Sequence, residues 1–374
     1  MITLRAVSQS SSDFTIHTTL PLPAKIRQID GLQILRAIAV FLVAWLHAGQ
    51  ALGDWRVTEL PHFGAFGIDI FFVISGFIMS SVLLRTRQAP GVRATLGFLK
   101  RRLIRIFPIY WLFALLESAR LLHGHGFFLQ NYFPSFLLLP GFFPRYPLVL
   151  GASWTMIFEM FFYYVLAAIL LVTVKRAVPV SIAFFGAVVL LGEVIGIQRP
   201  VWITFSSPIL LEFIFGAIAA LAFLRFGQRR RLGIAMVIVG AAISLYMRAH
   251  PQQGGAAGID LVLSSGGVTR RVLTWGLAAA MIVSGVIFWS PSIQSLPGRI
   301  AVILGNASYS AYLASALLIE FTGRLLIRLG GHAPPSVGKQ ALFQILLVVS
   351  VFFGGWICYQ FVEWPMIRWL QAKL

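Results

Sequence analysis

The chain has 374 residues, of which 58% are hydrophobic and only 11% are charged. An average soluble domain carries about 25% charged residues, so this composition excludes an ordinary soluble protein. The formal net charge of +18 is typical either of nucleic-acid binding or of basic cytoplasmic loops in a membrane protein. Because apolar runs of membrane-spanning length recur along the chain, we favour the second interpretation and predict no nucleic-acid partner.

Residues 1–28 are rich in Ser and Thr and contain no apolar run of signal-peptide length. We therefore predict a disordered cytoplasmic tail here and not a cleaved leader. Beyond the tail, the apolar runs predict an all-α, polytopic integral membrane protein with about ten transmembrane helices. These helices are expected at residues 31–52, 64–84, 103–122, 152–174, 178–197, 207–224, 232–248, 271–289, 300–319 and 340–362.

Two connecting segments have a composition of their own. Residues 123–150 combine aromatic residues with Pro and Gly and are expected to form an outer loop with an interfacial or re-entrant element, and residues 250–269 form a Gly-rich outer loop. His123 and His125 in the first segment have no acidic neighbour, so we predict no metal site there. The only cysteine, Cys358, lies in an apolar run and is expected to be a packing residue.

The orientation in the membrane follows from the basic residues. The most basic stretch runs from Arg85 to Arg105, between predicted helices two and three. Lys and Arg accumulate on cytoplasmic loops, so this stretch places the N-terminus in the cytoplasm, and ten helices return the C-terminus there. With this topology, 19 Lys and Arg residues fall inside, ten fall outside and one lies within helix one. Three basic residues of the last outer loop are exceptions to the rule.

The first predicted helix carries two ionisable residues, Arg36 and His47, inside its apolar run. They are eleven residues apart. At about 100° per residue both side chains therefore point to the same side, about 16 Å apart along the axis. Ionisable groups within a bilayer generally face the bundle interior or a water-filled cavity. This face of the helix is the first candidate functional site.

The predicted topology places two carboxylates, Asp69 and Glu159, in an outer layer with His47. A carboxylate beside an imidazole orients it and raises its basicity, as a general base requires. Each residue also has a structural interpretation. His47 could be a hydrogen-bonded residue of the bundle, and the carboxylates could neutralise an Arg or a His.

An inner layer contains Arg36 together with Arg101, Arg102 and Arg105 at the start of predicted helix three. Basic residues at a cytoplasmic mouth suit a phosphorylated ligand that arrives from the cytosol. Arg101 and Arg102 could equally be juxtamembrane anchors, since long basic side chains are common at such positions.

Five sequence blocks, in chain order, resemble the membrane acyltransferase-3 family, which O-acylates extracytoplasmic carbohydrates. The blocks are Arg36 to His47; Gly67, Asp69, Phe71, Phe72, Ser75, Gly76 and Phe77; Arg102, Arg105, Pro108, Tyr110 and Trp111; Trp154 to Glu159; and Glu363 with Pro365. The resemblance covers about residues 29–370, which we take as a single acyltransferase-3 domain. Local variants within it are similar to the exopolysaccharide-production acyltransferases. Ser315 departs from the pattern, because many relatives have a histidine there.

The resemblance implies an O-acyltransferase of the bacterial inner membrane. It would move an acyl group, acetyl or succinyl, from acyl-CoA to a hydroxyl of an extracytoplasmic or lipid-linked polysaccharide. Acyl-CoA is then a donor substrate, and no bound cofactor is implied. Membrane lipid and a polysaccharide-assembly complex are the further partners implied.

The resemblance also implies roles for individual residues. Arg36, Arg102, Arg105 and Tyr110 are expected to bind the donor, with Arg36 also in the catalytic group. His47 would deprotonate the acceptor hydroxyl or carry the acyl group transiently.

Asp69 and Glu159 complete the catalytic group implied by the resemblance, and they would orient His47 or bind acceptor hydroxyls. The alternative function is a transporter or flippase for a glycan or lipid carrier. Such transporters often show paired repeats and broken helices, and the sequence shows no repeat.

Overall fold

The structure, a computed structural model, describes residues 29–52, 61–123, 129–139, 147–196, 200–250, 265–330 and 336–373. These residues form helices and connecting turns and contain no strand, which confirms the all-α prediction. The predicted tail at 1–28, His125 and most of the predicted Gly-rich loop lie outside the described residues.

The helices are numbered in chain order. They are α1 Asp30–Leu52, α2 Pro61–Leu83, α3 Val92–His123, α4 Leu129–Phe136, α5 Trp154–Val172, α6 Ala177–Ile195, α7 Pro200–Ser206, α8 Leu210–Phe226, α9 Arg230–Ala249, α10 Ser265–Arg271, α11 Leu277–Trp289, α12 Leu296–Asn306, α13 Ser308–Gly330, α14 Val337–Cys358 and α15 Trp364–Ala372. A 3₁₀ turn precedes α5, and two π turns, Val272–Gly276 and Tyr359–Glu363, make α10–α11 and α14–α15 continuous. Predicted helices one, two and four to seven agree with observed helices within three residues at each end.

Nine helical segments in the described part of the chain are long and apolar enough to cross a membrane, so the chain is a polytopic membrane protein. The third predicted span is not among them, because Arg105, Glu117 and Arg120 interrupt its apolar run. It lies within α3, which begins at Val92, eleven residues earlier than predicted. Arg93, Lys100, Arg101 and Arg102, which were expected in a loop, are therefore helical, whereas Arg85 and Arg87 precede α3. At 1.5 Å per residue α3 is about 48 Å long, more than the hydrocarbon core of about 30 Å.

Two predicted helices near the C-terminus have different limits. The prediction at 300–319 is divided into α12 and α13 at Ala307, where the flanking residues include Gly305 and Asn306, both of low helix propensity. The last predicted helix extends to Ala372 through a π turn. That turn ends two residues before Pro365, which has no amide hydrogen for the regular helical bond.

Helix α1 lies at the centre of the bundle, in contact with α2, α12, α13 and α14. Helix α2 also packs closely on α8. A Cβ on Gly76 would overlap the Phe213 backbone, and a Cβ on Gly216 would overlap the Val73 backbone. Small residues at such crossings allow two membrane helices to approach to backbone contact. This contact fixes the position of Ser75, which is next to Gly76 in the chain.

The segment between α3 and α5 folds back against the middle of α3. Tyr110 donates a hydrogen bond to the Ser135 carbonyl, 2.6 Å away, and Trp111 Nε1 donates one to the Phe136 carbonyl, 2.9 Å away. The Ser135 hydroxyl in turn accepts from the Val149 amide. Val149, shortly before α5, is thereby tied to Ser135.

Candidate active site

A cavity of about 150 Å³ lies between α1, α2, α3, α5 and α13. Its polar lining consists of Arg36, Ser75, Arg102, Arg105, Thr155, Glu159, Tyr163, Ser308, Tyr309 and Tyr312. Much of the apolar lining comes from α2, between Ile68 and Met79, a length of about 16 Å along the helix axis. A cavity of this volume holds a molecule of about the size of benzene. It can therefore hold a short acyl group.

Three guanidinium groups meet at this cavity, Arg36 from α1 and Arg102 and Arg105 from α3. None of them forms an ion pair with a carboxylate in the part of the chain that the structure describes. Arg36 makes a hydrogen bond of 3.4 Å to Gln33, and the buried Arg102 Nε has no partner among the described residues. A buried charge without a counterion is unfavourable, so this arginine trio is suited to an anionic ligand.

Glu159 is the carboxylate that lines the cavity. Its Oε1 accepts hydrogen bonds from the Ser75 hydroxyl and from the Tyr163 hydroxyl. Tyr163 is four residues further along α5 and therefore lies on the same helix face. Glu159 and the three arginines line the same cavity. A carboxylate held in this way can accept a proton from a hydroxyl or thiol ligand.

A second carboxylate, Glu363, stands behind the arginine trio. It lies in the π turn before α15 and is completely buried. Its Oε2 accepts a hydrogen bond of 2.5 Å from Ser310, and its charge acts on Arg36 and Arg105. With three guanidinium groups and two carboxylates, the site keeps a net positive charge. This balance favours an anion over a neutral ligand.

Two tyrosines of α13 complete the lining. The Tyr309 hydroxyl donates to the Ile106 carbonyl at 2.8 Å, and the Tyr312 hydroxyl donates to the Ala152 carbonyl at 2.9 Å. Ser315, where many relatives have a histidine, is buried one turn beyond Tyr312, donates to its carbonyl and does not line the cavity. Ser315 therefore contributes no group to the cavity lining.

His47 lies outside the cavity lining although it shares a face of α1 with Arg36. It is half-buried, and its Nδ1 lies 3.0 Å from Gln50 Oε1. Val40 and Val43 lie on the same face between the two residues and are 1% and 2% exposed. Two buried apolar side chains thus separate the imidazole from the arginine trio.

The structure does not form the predicted outer layer of His47, Asp69 and Glu159. Asp69 pairs instead with Arg271, and Glu159 lies beside the arginine trio. The depth of Glu159 was misjudged because α5 follows a segment folded against the middle of α3.

Tyr110, predicted to bind the donor, is buried beside Ser135 and does not line the cavity. The sequence analysis gave no role to Tyr163 or Arg271. The spacing of Tyr163 from Glu159 was an available signal, whereas the partner of Arg271 is 202 positions away in the chain. Across the described ranges, no group of three His, Cys, Asp or Glu side chains could hold a metal ion.

A family model described as an acyltransferase domain, that of acyltransferase family 3, matches residues 29–360. The chain belongs to the acyltransferase-3 family. Together with the nine long apolar segments, this membership makes the chain a multi-pass membrane acyltransferase.

Three relatives illustrate the range of the family. Exopolysaccharide production protein ExoZ of Rhizobium meliloti (strain 1021) is 30% identical over 341 residues, which are 87% of this chain and 95% of ExoZ. A Staphylococcus aureus (strain COL) protein named "Putative O-acetyltransferase" is 24% identical over 391 residues, 91% of this chain and 58% of that protein. Nodulation protein 10 of Rhizobium leguminosarum bv. viciae is 37% identical over 81 residues, 21% of this chain and 20% of that protein. No solved structure matches the chain.

Proposed function

We propose that this acyltransferase moves a short acyl group, acetyl or succinyl, from acyl-CoA to a hydroxyl of an extracytoplasmic or lipid-linked polysaccharide. It would do so in the bacterial inner membrane, with the basic start of α3 on the cytoplasmic side. The observation that carries the proposal is the arginine trio without carboxylate partners at a cavity of acyl size. The printed names of ExoZ and of the Staphylococcus relative support the polysaccharide and the O-acyl parts.

The size of the cavity implies that two parts of the donor bind in different places. At about 150 Å³ it admits the acyl thioester end, and the nucleotide remains at the mouth. The phosphates of the donor then meet the arginine trio, whose side chains line the cavity. Acyl-CoA is a substrate in this scheme, and the protein needs no resident cofactor.

The chemical step joins the acceptor oxygen to the thioester carbonyl carbon and breaks the carbon–sulfur bond. The acceptor hydroxyl loses its proton to a base, and the released CoA thiolate takes up a proton. Glu159 is the base nearest the cavity, and His47 is the base on the outer part of α1. About 16 Å separates Arg36 from His47 along α1. The acceptor hydroxyl must therefore enter the cavity, or His47 must carry the acyl group as an acyl-imidazole.

The proposal is tested in a deletion strain that carries single variants. Arg102→Gln should reduce the ester content of the surface polysaccharide at least about tenfold, because a charged hydrogen bond contributes about 1.5–3 kcal/mol. Arg101→Gln is the matched control, since Arg101 is the neighbouring residue and does not line the cavity.

Immunoblots of the membrane fraction report the amount of each variant, and the total exported polymer is measured in parallel. Normal ester content in the Arg102→Gln strain would contradict the proposal. Loss of exported polymer in the deletion strain would support the transporter alternative.

A further inference from the structure

A second group of buried polar side chains lies away from the cavity, between α2, α8 and the α10–α11 helix. It consists of Asp69, Glu212 and Arg271, each at most 1% exposed. Arg271 Nη2 donates to Asp69 Oδ2 and, at 2.9 Å, to the Ala65 carbonyl. Because Ala65 and Asp69 are four residues apart on α2, a single guanidinium holds one face of that helix.

Glu212 enters the group from α8 and lies beside the Asp69 carboxyl. Gly276 leaves room for it, since a Cβ there would lie 3.0 Å from Glu212 Oε1. Yet Asp69 Oδ1 and both Glu212 oxygens accept no N–H or O–H donor from the described residues. Two carboxylates cannot bond each other without a proton, so one proton between them accounts for this contact.

The charges of the group lead to the same conclusion. Two ionised carboxylates and one guanidinium would leave a net negative charge in a site with almost no exposure, which is strongly unfavourable. A bound metal ion does not fit, because three acidic, His or Cys ligands do not come together here among the described residues. When two carboxyl groups share one buried site, one of them normally stays protonated.

The group also contains buried hydrogen-bond donors that need a partner. Arg271 Nε and Nη1 and Trp275 Nε1 are buried without a partner among the described residues. Ordered water normally satisfies buried polar atoms of this kind, with two to four hydrogen bonds for each molecule. The group therefore combines buried hydrogen-bond donors with a pair of carboxyl groups.

We propose that Asp69 and Glu212 share one proton, with Glu212 as the neutral acid that donates to Asp69. Arg271 neutralises the Asp69 carboxylate, and enclosed water bonds the remaining donors. The buried group then has no net charge, and it holds α2, together with Ser75 and Phe71, against α8. The proton-sharing pair does not depend on the proposed reaction, because the test below measures protonation and melting.

The test is infrared spectroscopy of the full chain purified in a maltoside detergent, which has no ester carbonyl of its own. At neutral pH, Glu212→Gln should abolish a carbonyl stretching band of a protonated carboxylic acid. Glu193→Gln, at an exposed glutamate of α6, should remove only carboxylate bands. If Glu212→Gln also removes only carboxylate bands, the proposal is overturned.

Melting midpoints supply a second readout. Glu212→Gln should melt near the wild-type midpoint, because its amide can still donate to Asp69. Asp69→Asn removes the carboxylate that bonds Arg271 and accepts the Glu212 proton, and it should melt about 5 °C lower or more. Equal losses for the two variants would overturn the assignment of the proton to Glu212.

A measurement on the wild-type chain keeps the proposal testable if a variant does not fold. Labelling the glutamate carboxyl carbons with ¹³C should shift the acid band to lower frequency. An acid band that shifts only with labelled aspartate would contradict the proposal.

Discussion

Glu159→Gln is the variant that separates the chemical role of Glu159 from its electrostatic role. The substitution keeps the shape of the side chain and its oxygen acceptor, so Ser75 and Tyr163 can still donate to it. It removes the negative charge and the ability to take a proton. A general base contributes about 10²–10⁴ in rate, equal to about 2.7–5.4 kcal/mol of transition-state stabilisation.

The structural cost of the same substitution is smaller. Two hydrogen bonds change from a charged to a neutral acceptor, at about 1 kcal/mol each. The protein should therefore still fold, while kcat falls at least about a hundredfold. The donor KM should stay constant or fall, because the arginine trio loses a neighbouring negative charge.

The assay measures acyl transfer from acyl-CoA to an oligosaccharide acceptor by the full chain in lipid nanodiscs, with kcat and KM determined separately. Glu320→Gln is the control, since Glu320 pairs with Arg120 and Arg324 outside the cavity. A Glu159→Gln protein that keeps kcat within about twofold of wild type would refute the assignment of a base to Glu159.

Three further predictions concern the packing and the outer end of the site. Gly76→Ala should lower the unfolding free energy by about 1–3 kcal/mol, because the new Cβ overlaps the α8 backbone. Thermal melting in detergent checks this. As a control, Gly186→Ala should not destabilise the protein, because a Cβ at Gly186 meets open space. His47→Ala should lower ester content at least about a hundredfold with normal membrane insertion, whereas equal ester content in His47→Ala and His250→Ala strains would exclude His47 from the reaction. Tyr163→Phe removes one hydrogen bond to the Glu159 carboxylate. It should reduce kcat about tenfold or less, because one hydrogen bond to a charged group is worth about 1.5 kcal/mol. A complete loss of acyl transfer in the nanodisc assay would instead assign a direct chemical role to the Tyr163 hydroxyl.

The convergence of Arg36 with Arg102 and Arg105 could be predicted from the sequence. The distribution of Lys and Arg predicted the relative orientation of α1 and α3, and helix periodicity predicted the face of α1 on which Arg36 lies. Both signals are local and strong in a membrane protein, because a misplaced charge is costly there. The structure places the three residues around one cavity.

The depth of Glu159 could not be predicted in the same way. Hydropathy locates an apolar helix but does not tell whether the preceding segment folds back into the bundle. That fold-back depends on Tyr110 and Ser135, whose hydrogen bond forms only in the assembled structure. Hydropathy also missed the first turns of α3, because a basic helix outside the hydrocarbon core has no apolar signature.

The pairing of Asp69 with Arg271 could not be predicted from the sequence, for a different reason. It depends on which distant helix packs against α2, and local patterns do not determine that choice. The sequence analysis allowed Asp69 to neutralise an arginine but could not identify which one. The Glu212 carboxyl joins the pair only because α8 crosses α2 at backbone distance.

The central claim is that the arginine trio binds the acyl-CoA donor, and a direct binding measurement tests it. Titration calorimetry with CoA on the full chain in nanodiscs should give a Kd for Arg102→Gln about tenfold or more above wild type. Arg101→Gln should stay within about twofold of wild type, and the Arg102 effect should shrink at high salt as charges are screened. Equal CoA affinity in wild type and Arg102→Gln, with both proteins folded, would contradict the account.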